Sequence, residues 1–106
     1  MNMIHLTSKN FDIEAKNCRG AVVVMFYADW CGKCAMMKPV AESVSRKYYD
    51  RIKFCEVNVD ECPELAKEYG ADIVPTFVMF RDREVEMYMQ GMLDGHIFEE
   101  RVKELL

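Results

Sequence analysis

Two cysteines separated by two residues stand out in this sequence, in the segment Trp30-Cys31-Gly32-Lys33-Cys34. Thiols at that spacing can close a disulfide or share a metal ion. An apolar run precedes the segment and a helical pattern follows it, so we expect the first thiol at a helix N-terminus. Free backbone N–H groups and the helix dipole stabilise a thiolate there. A reactive thiolate beside a second thiol is what thiol–disulfide exchange requires.

A structural zinc site is the main alternative use of such a pair. Zinc sites commonly combine two C-x-x-C pairs, or one pair with two histidines. His5 and His96 are isolated in the sequence, and Cys18, Cys55 and Cys62 each stand alone. The pattern therefore favours redox chemistry, with no metal and no bound cofactor.

The size and composition of the chain predict a single domain, residues 1–106. The net charge of −4 argues against nucleic-acid binding, which needs a basic face. The N-terminus lacks the apolar segment of a secretion signal, and no apolar run reaches the roughly 18 residues of a membrane span. An odd number of cysteines, five, suits a reducing compartment. We expect a cytoplasmic monomer that binds neither nucleic acid nor membrane.

The apolar pattern predicts the elements that position the two cysteines. Residues 21–28 are apolar without alternation, which is typical of a central strand covered on both faces. A helix is predicted from residue 34 to about residue 48, with Pro39 inside it. Residues 52–59 are predicted to form a strand parallel to the first, reached by a right-handed crossover.

The flanking elements complete the predicted order. An edge strand is expected at residues 3–7, followed by a helix that Ser8 caps and that buries Phe11 and Ala15. Asp60 is expected to cap a second short helix that ends at Gly70. A strand is predicted at residues 73–80 and a hairpin strand at residues 84–90, followed by a bulge at Gly91. A last helix is predicted to begin at Asp94 and to bury Phe98, Val102 and Leu105. This order predicts an α/β fold with a central mixed sheet of about five strands and helices on both faces.

With these elements placed, the sequence resembles the thioredoxin family over nearly its whole length. The resemblance implies the thioredoxin fold and a thiol–disulfide oxidoreductase that reduces protein disulfides. It also implies that electrons come from an external thioredoxin reductase rather than from a bound cofactor. The matching marks are the motif Trp30-Cys31-Gly32-x-Cys34 after a central apolar strand, Pro39 in the next helix, Val74-Pro75-Thr76 at the third core strand, and Gly91 before the last helix.

The resemblance also implies roles for individual residues. Cys31 would be the exposed nucleophile and Cys34 the resolving thiol. Pro75 would be a cis-proline facing the disulfide. The substrate groove would be lined by Trp30, Val74, Pro75 and Gly91.

Lys33 departs from the family, which usually has proline at this position. The pair Gly32-Lys33 is closer to the Gly-His pair of protein disulfide isomerases. At about 6 Å and an effective dielectric between ~20 and ~80, a positive charge stabilises a thiolate by roughly 0.7 to 3 kcal/mol. Because about 1.4 kcal/mol corresponds to about 30 mV, we expect Gly32 and Lys33 to tune the pair towards a weaker reductant. An isomerase-like or oxidising exchanger stays open as an alternative, as does a non-catalytic module that binds a metal or a partner.

A second departure concerns a carboxylate. The family has a buried Asp where this chain has Met25, and a Lys where this chain has Glu56. The resemblance gives that Asp a part in deprotonating the resolving cysteine, which Met25 cannot take. We hypothesise that Glu56 supplies the carboxylate, because burial without a cationic partner would make it a better proton acceptor. The alternative is that Glu56 reaches solvent and that no carboxylate assists.

Overall fold

A computed structural model of the chain describes residues 3–106, and these contain one five-stranded sheet. The strands are β1 Ile4–Leu6, β2 Ala21–Tyr27, β3 Ile52–Asn58, β4 Thr76–Arg81 and β5 Glu84–Gln90. Their spatial order is β1-β3-β2-β4-β5. Strands β1, β3 and β2 are mutually parallel, whereas β4 runs antiparallel to both β2 and β5. The predicted α/β fold with a mixed sheet is confirmed.

Helices cover both faces of this sheet. They are a short π-helix Asp12–Lys16, α1 Gly32–Tyr48, α2 Pro63–Glu68 and α3 Gly95–Lys103. Helices α1 and α3 bury Met37 and Phe98 against one face. The π-helix and α2 pack on the other face, where Ala15 is buried and Leu65 is partly buried. Within residues 3–106, no helix is both long and apolar enough to cross a membrane.

Strand β2 is the middle strand of the sheet, and both of its faces are buried. Val23 and Met25 belong to the core beneath α1 and α3. Val22, Val24 and Phe26 belong to the core on the opposite face. A strand covered on both sides has no solvent-facing positions to fill with polar residues, which explains its unbroken apolar sequence. Strand β2 ends at Tyr27, so the cysteine segment that follows lies at the carboxyl-terminal end of this strand.

The predicted cap at Ser8 is wrong, although the predicted buried face is correct. The first helix is the π-helix that follows Phe11, and no side chain caps its N-terminus. The local turn is instead closed by the side chain of Asn10, which accepts the Thr7 N–H at 2.7 Å. Phe11 and Ala15 are both buried, as the helical spacing predicted.

The predicted cap at Asp60 is also wrong. Helix α2 begins at Pro63, after Cys62, and ends at Glu68 rather than at residue 70. The Asp60 N–H donates to the side-chain oxygen of Asn58 at 2.8 Å, so Asp60 belongs to the turn that follows β3. Its carboxylate is consequently free to bind elsewhere.

Two predictions around β4 and β5 need correction. Strand β4 begins at Thr76, not at residue 73, because Pro75 has no N–H to donate to the ladder. Gly91 is not a bulge; the register irregularity lies between Met79 and Phe80 of β4. Gly91 instead follows β5 with φ +87°, a conformation that favours glycine and turns the chain out of the strand.

Asp94 caps α3 as predicted. Its carboxylate accepts the N–H groups of His96 at 2.9 Å and Ile97 at 3.4 Å. Helix α3 is fixed to the sheet by Phe98, whose ring centroid lies 4.9 Å from that of Phe77.

We predict that Asp94→Ala lowers the free energy of unfolding by about 1 kcal/mol, because two backbone donors lose their acceptor. Asp94→Asn keeps a side-chain acceptor and should retain most of the stability. Urea unfolding followed by circular dichroism measures both. An equal loss in the two variants would show that capping is not what Asp94 contributes.

Candidate active site

The cysteine pair forms a disulfide at the N-terminus of α1. Cys31 is the N-cap residue and Cys34 lies in the first turn, with their Cα atoms 5.2 Å apart. Cys31 Sγ accepts the backbone N–H of Cys34 at 3.1 Å. This hydrogen bond and the positive end of the helix dipole both favour negative charge on the Cys31 sulfur when the pair is reduced.

Both cysteines are buried, so the expectation that Cys31 is an exposed residue is wrong. The exposed fraction is 8% for Cys31 and 3% for Cys34. Cys31 is covered in part by the loop before β4, since its Sγ lies 3.5 Å from the carbonyl oxygen of Val74. It is nevertheless the more exposed of the two cysteine residues.

The predicted groove residues come together around Cys31. The Val74–Pro75 bond is cis, as the resemblance implies. The Gly91 N–H donates to the Pro75 carbonyl at 2.7 Å, which joins the turn after β5 to the loop before β4. The structure therefore places Val74, Pro75 and Gly91 side by side, although they are far from Cys31 in sequence.

Trp30 provides exposed apolar surface beside the disulfide. Its side chain is 70% exposed, and its indole N–H donates to Asp60 Oδ2 at 2.9 Å. Ile73 and Met92, which neighbour the groove residues in sequence, are also exposed. Apolar surface of this kind suits contact with another protein. The sequence analysis did not predict that Asp60 binds the Trp30 indole, because a linear pattern does not show which aspartate lies near a distant indole.

Gly32 and Lys33 are both exposed in the first turn of α1. A Cβ atom added at Gly32 would meet nothing within 4 Å, so packing does not require glycine there. The Lys33 charge lies next to Cys34 in the chain and close to the N-terminus of the helix. Because the side chain is exposed, solvent and salt screen its effect on the sulfurs.

Glu56 lies on β3, directly opposite Met25 of β2. Its side chain is only 12% exposed, so it does not extend freely into solvent. The carboxylate binds a histidine and a lysine, with Oε2 3.0 Å from His5 Nδ1 and Oε1 3.3 Å from the Lys38 ammonium nitrogen Nζ. The expectation that Glu56 is buried without a cationic partner is therefore wrong.

A cavity of about 170 Å³ lies against the disulfide. Tyr27 and Lys38 both line it, and the Lys38 ammonium lies 5.0 Å from the centroid of the Tyr27 ring. The Tyr27 hydroxyl donates to Glu56 at 3.4 Å. Burial, reinforced by the Glu56 charge, raises the pKa of Tyr27 to about 12, so the phenol is neutral near pH 7. The lining residues are Tyr27, Ala28, Asp29, Cys31, Cys34, Ala35 and Lys38.

Sequence reasoning missed Tyr27 and Lys38. The available signal for Lys38 was its position four residues after Cys34 on one helix, since side chains at i and i+4 share a face. No such spacing pointed to Tyr27, because its contact with Glu56 depends on the register between β2 and β3.

The other three cysteines are unpaired. Burial raises the pKa of Cys55 to about 12 and raises that of Cys62 above its ordinary value, so both thiols are protonated at neutral pH. Across the described range 3–106, no group of three or more His, Cys, Asp or Glu side chains is arranged to hold a metal ion.

His5 makes stability depend on pH. Hydrogen bonds to Glu56 and then to Glu61 raise the pKa of His5 above its ordinary value. A raised pKa means that protonated His5 stabilises the folded state below about pH 6.5, and that this contribution is lost as pH rises through the folded-state pKa. We predict that His5→Gln lowers the free energy of unfolding most near pH 6, and that the difference from wild type shrinks by about pH 9.

Urea unfolding at the two pH values measures this difference. His96→Gln, at the exposed second histidine, is the matched control. A loss in His5→Gln that does not vary with pH would contradict the assignment, because packing rather than protonation would then be responsible.

Comparison with known proteins agrees with this geometry. The family model described as Thioredoxin matches residues 2–104. Two bacterial relatives are thioredoxins. The one from Pseudomonas aeruginosa is 34% identical over 92 residues, which is 87% of this chain and 85% of that protein. The one from Thiocapsa roseopersicina is 36% identical over 85 residues, which is 80% of this chain and 93% of that protein.

A plant relative is longer than this chain. The chloroplastic thioredoxin M-type of Triticum aestivum is 43% identical over 76 residues, which is 72% of this chain but 43% of that protein. The match therefore spans less than half of the plant relative and most of the bacterial ones. With a family model that matches nearly the whole sequence and a disulfide at the N-terminus of α1, the chain belongs to the thioredoxin family of thiol–disulfide oxidoreductases.

Proposed function

We propose that this chain reduces disulfides in other proteins, with Cys31 as the nucleophile and Cys34 as the resolving thiol. The observation that carries this assignment is the hydrogen bond from the Cys34 N–H to Cys31 Sγ at the start of α1. It stabilises a thiolate on Cys31, the more exposed of the two cysteine residues. The second sulfur is one helical turn away and within bonding distance of the first.

Reduction proceeds in two exchanges. The Cys31 thiolate attacks one sulfur of the substrate disulfide, and the other substrate sulfur leaves as a thiolate that takes a proton from solvent. Cys34 then loses its proton and attacks Cys31 Sγ, which forms the Cys31–Cys34 bond and releases the second substrate sulfur. Two electrons have passed to the substrate, and an external reductase must return the pair to the dithiol.

The proposed partners are disulfide-containing proteins and a thioredoxin reductase. Substrates would contact the exposed face of Trp30 and the groove formed by Val74, Pro75 and Gly91. Three unpaired cysteines suit a reducing compartment, and we propose that the protein acts in the cytoplasm as a monomer.

Glu56 is proposed to accept the proton that Cys34 releases. The carboxylate is not in the cavity beside the disulfide but bonds to the Tyr27 hydroxyl, which forms part of the cavity wall. A proton can therefore pass from the cavity to Glu56 through the phenol. The carboxylate acts from β3 because Met25, its neighbour on β2, carries no charge.

A second candidate function is an isomerase-like or oxidising exchanger. It is favoured by Lys33, which puts a positive charge in the first turn of α1. The two functions differ in the reduction potential of the Cys31–Cys34 couple, because a stabilised thiolate makes the dithiol a weaker reductant.

We predict that Cys31→Ser abolishes the reduction of insulin, since the thiolate that makes the first attack is lost. Cys34→Ser should retain the first exchange and accumulate a stable mixed disulfide on Cys31, which mass spectrometry detects. Cys62→Ser is the control variant and should reduce insulin at the wild-type rate. A mixed disulfide that accumulates on residue 34 in Cys31→Ser would reverse the assigned roles.

We predict that Lys33→Gln makes the reduction potential more negative by about 10 to 30 mV, because a screened positive charge is lost beside the thiolate. Equilibration with glutathione or dithiothreitol buffers measures the potential. A wild-type value close to that of the cytosolic glutathione pool would favour the exchanger over the general reductase. An unchanged potential in Lys33→Gln would remove Lys33 as a tuning group.

A further inference from the structure

Cys34 must become a thiolate in surroundings that disfavour charge. Its side chain is 3% exposed and belongs to the apolar core beneath α1. Burial opposes ionisation of a thiol, because the charged form loses its hydration. Met25 lies in the same core and offers no compensating charge. A cation close to Cys34 would offset this cost and favour the thiolate.

Lys38 is the cation that the helix directs towards Cys34. It lies four residues further along α1, so the two side chains share a face of the helix. Helical side chains lean towards the N-terminus, which carries the Lys38 side chain over the turn that contains Cys34. Both residues line the same cavity of about 170 Å³.

The ammonium of Lys38 is held from two sides. Glu56 Oε1 binds Nζ at 3.3 Å, and the ring of Tyr27 lies beneath Nζ at 5.0 Å from its centroid. The negative face of an aromatic ring attracts a cation. Glu56 also binds His5, so its negative charge is shared between two partners and does not simply cancel Lys38.

We propose that Lys38 is a positioning residue for the second exchange. It favours the Cys34 thiolate beside the cavity and holds Glu56 where the carboxylate can accept a proton through the Tyr27 hydroxyl. This inference rests on the proposed function, because it assigns Cys34 as the resolving thiol.

The Cys34 S–H bond breaks and its proton passes towards Glu56 and then to the departing substrate thiolate. The Cys34 thiolate attacks Cys31 Sγ, the Cys31–Cys34 bond forms, and the bond from Cys31 to the substrate sulfur breaks. The two cysteine sulfurs are oxidised and the two substrate sulfurs are reduced.

Other charged and titratable groups also face this region and contribute to its pH dependence. Asp29 lines the cavity but is exposed, so solvent screens its charge. The remaining groups approach Glu56 or the groove from neighbouring elements: His5 on β1, Tyr27 on β2, and Asp60 and Glu61 in the turn after β3.

The two exchanges can be timed separately in one reaction. The reduced full-length protein is mixed in a stopped-flow instrument with 5,5′-dithiobis(2-nitrobenzoate). The first coloured thiolate appears when Cys31 attacks the reagent, and the second appears when Cys34 displaces it from Cys31. The rate of each phase is measured against pH for wild type, Lys38→Gln, Lys38→Arg, Glu56→Gln and Lys47→Gln.

We expect Lys38→Gln to move the pH profile of the second phase upwards by about 0.5 to 1 unit, and the first phase to change less. The second phase at neutral pH should slow by about 3-fold to 10-fold. Lys38→Arg keeps the charge and should restore the wild-type profile. Lys47→Gln removes a charge near the far end of the same helix and should leave both phases unchanged.

Superimposable second-phase profiles for wild type and Lys38→Gln would overturn the inference. An equal shift in Lys38→Arg and Lys38→Gln would also overturn it, because packing rather than charge would then be responsible. Thermal unfolding followed by circular dichroism establishes that each variant is folded.

A different result would contradict the proposed function. If the protein does not reduce insulin although both phases occur, the proposed activity is wrong while the inference about Lys38 can still be judged. If Glu56→Gln leaves the second phase unchanged while Lys38→Gln shifts it, Glu56 is not the proton acceptor. The charge of Lys38 then acts on the Cys34 thiolate without Glu56.

Discussion

The active site depends on the hydrogen bond between the Cys34 N–H and Cys31 Sγ at the start of α1. The bond exists because β2 ends at Tyr27 and a helix begins within a few residues, which turns unpaired N–H groups towards the first sulfur. The same turn brings the second sulfur within bonding distance.

The ion cluster around Glu56 places a carboxylate on β3, the strand next to β2. In a parallel pair of strands, residues in register present their side chains to the same face of the sheet. Met25 and Glu56 are such a pair, and both point to the side of the sheet covered by α1. Moving the carboxylate from β2 to β3 takes it out of the apolar core and into contact with Lys38 and His5. The site thereby keeps a carboxylate without a buried, unpaired charge, which would be costly.

The elements with strong periodic patterns were predicted well, and the local details were not. Strand β5 has its predicted bounds, and α1 and β2 lie within two residues of theirs. The caps proposed at Ser8 and Asp60 failed because several polar residues near each helix start compete for the same backbone donors. The cap predicted at Asp94 is correct, because no competing polar side chain directly precedes this helix. The bulge predicted at Gly91 is wrong, because the left-handed conformation of Gly91 belongs to the turn after β5.

Sequence alone determined the chemistry of this protein, because a C-x-x-C between an apolar run and a helical pattern defines two thiols at a helix N-terminus. It also determined the α/β layers, since the periods of apolar residues are set by local geometry. The tertiary structure decided which residues surround the sulfurs. Strand order, register and helix packing bring four residues close to the sulfurs: Val74, Gly91, Tyr27 and Lys38. Those contacts join distant parts of the chain, and a linear pattern carries no information about which distant residues will meet.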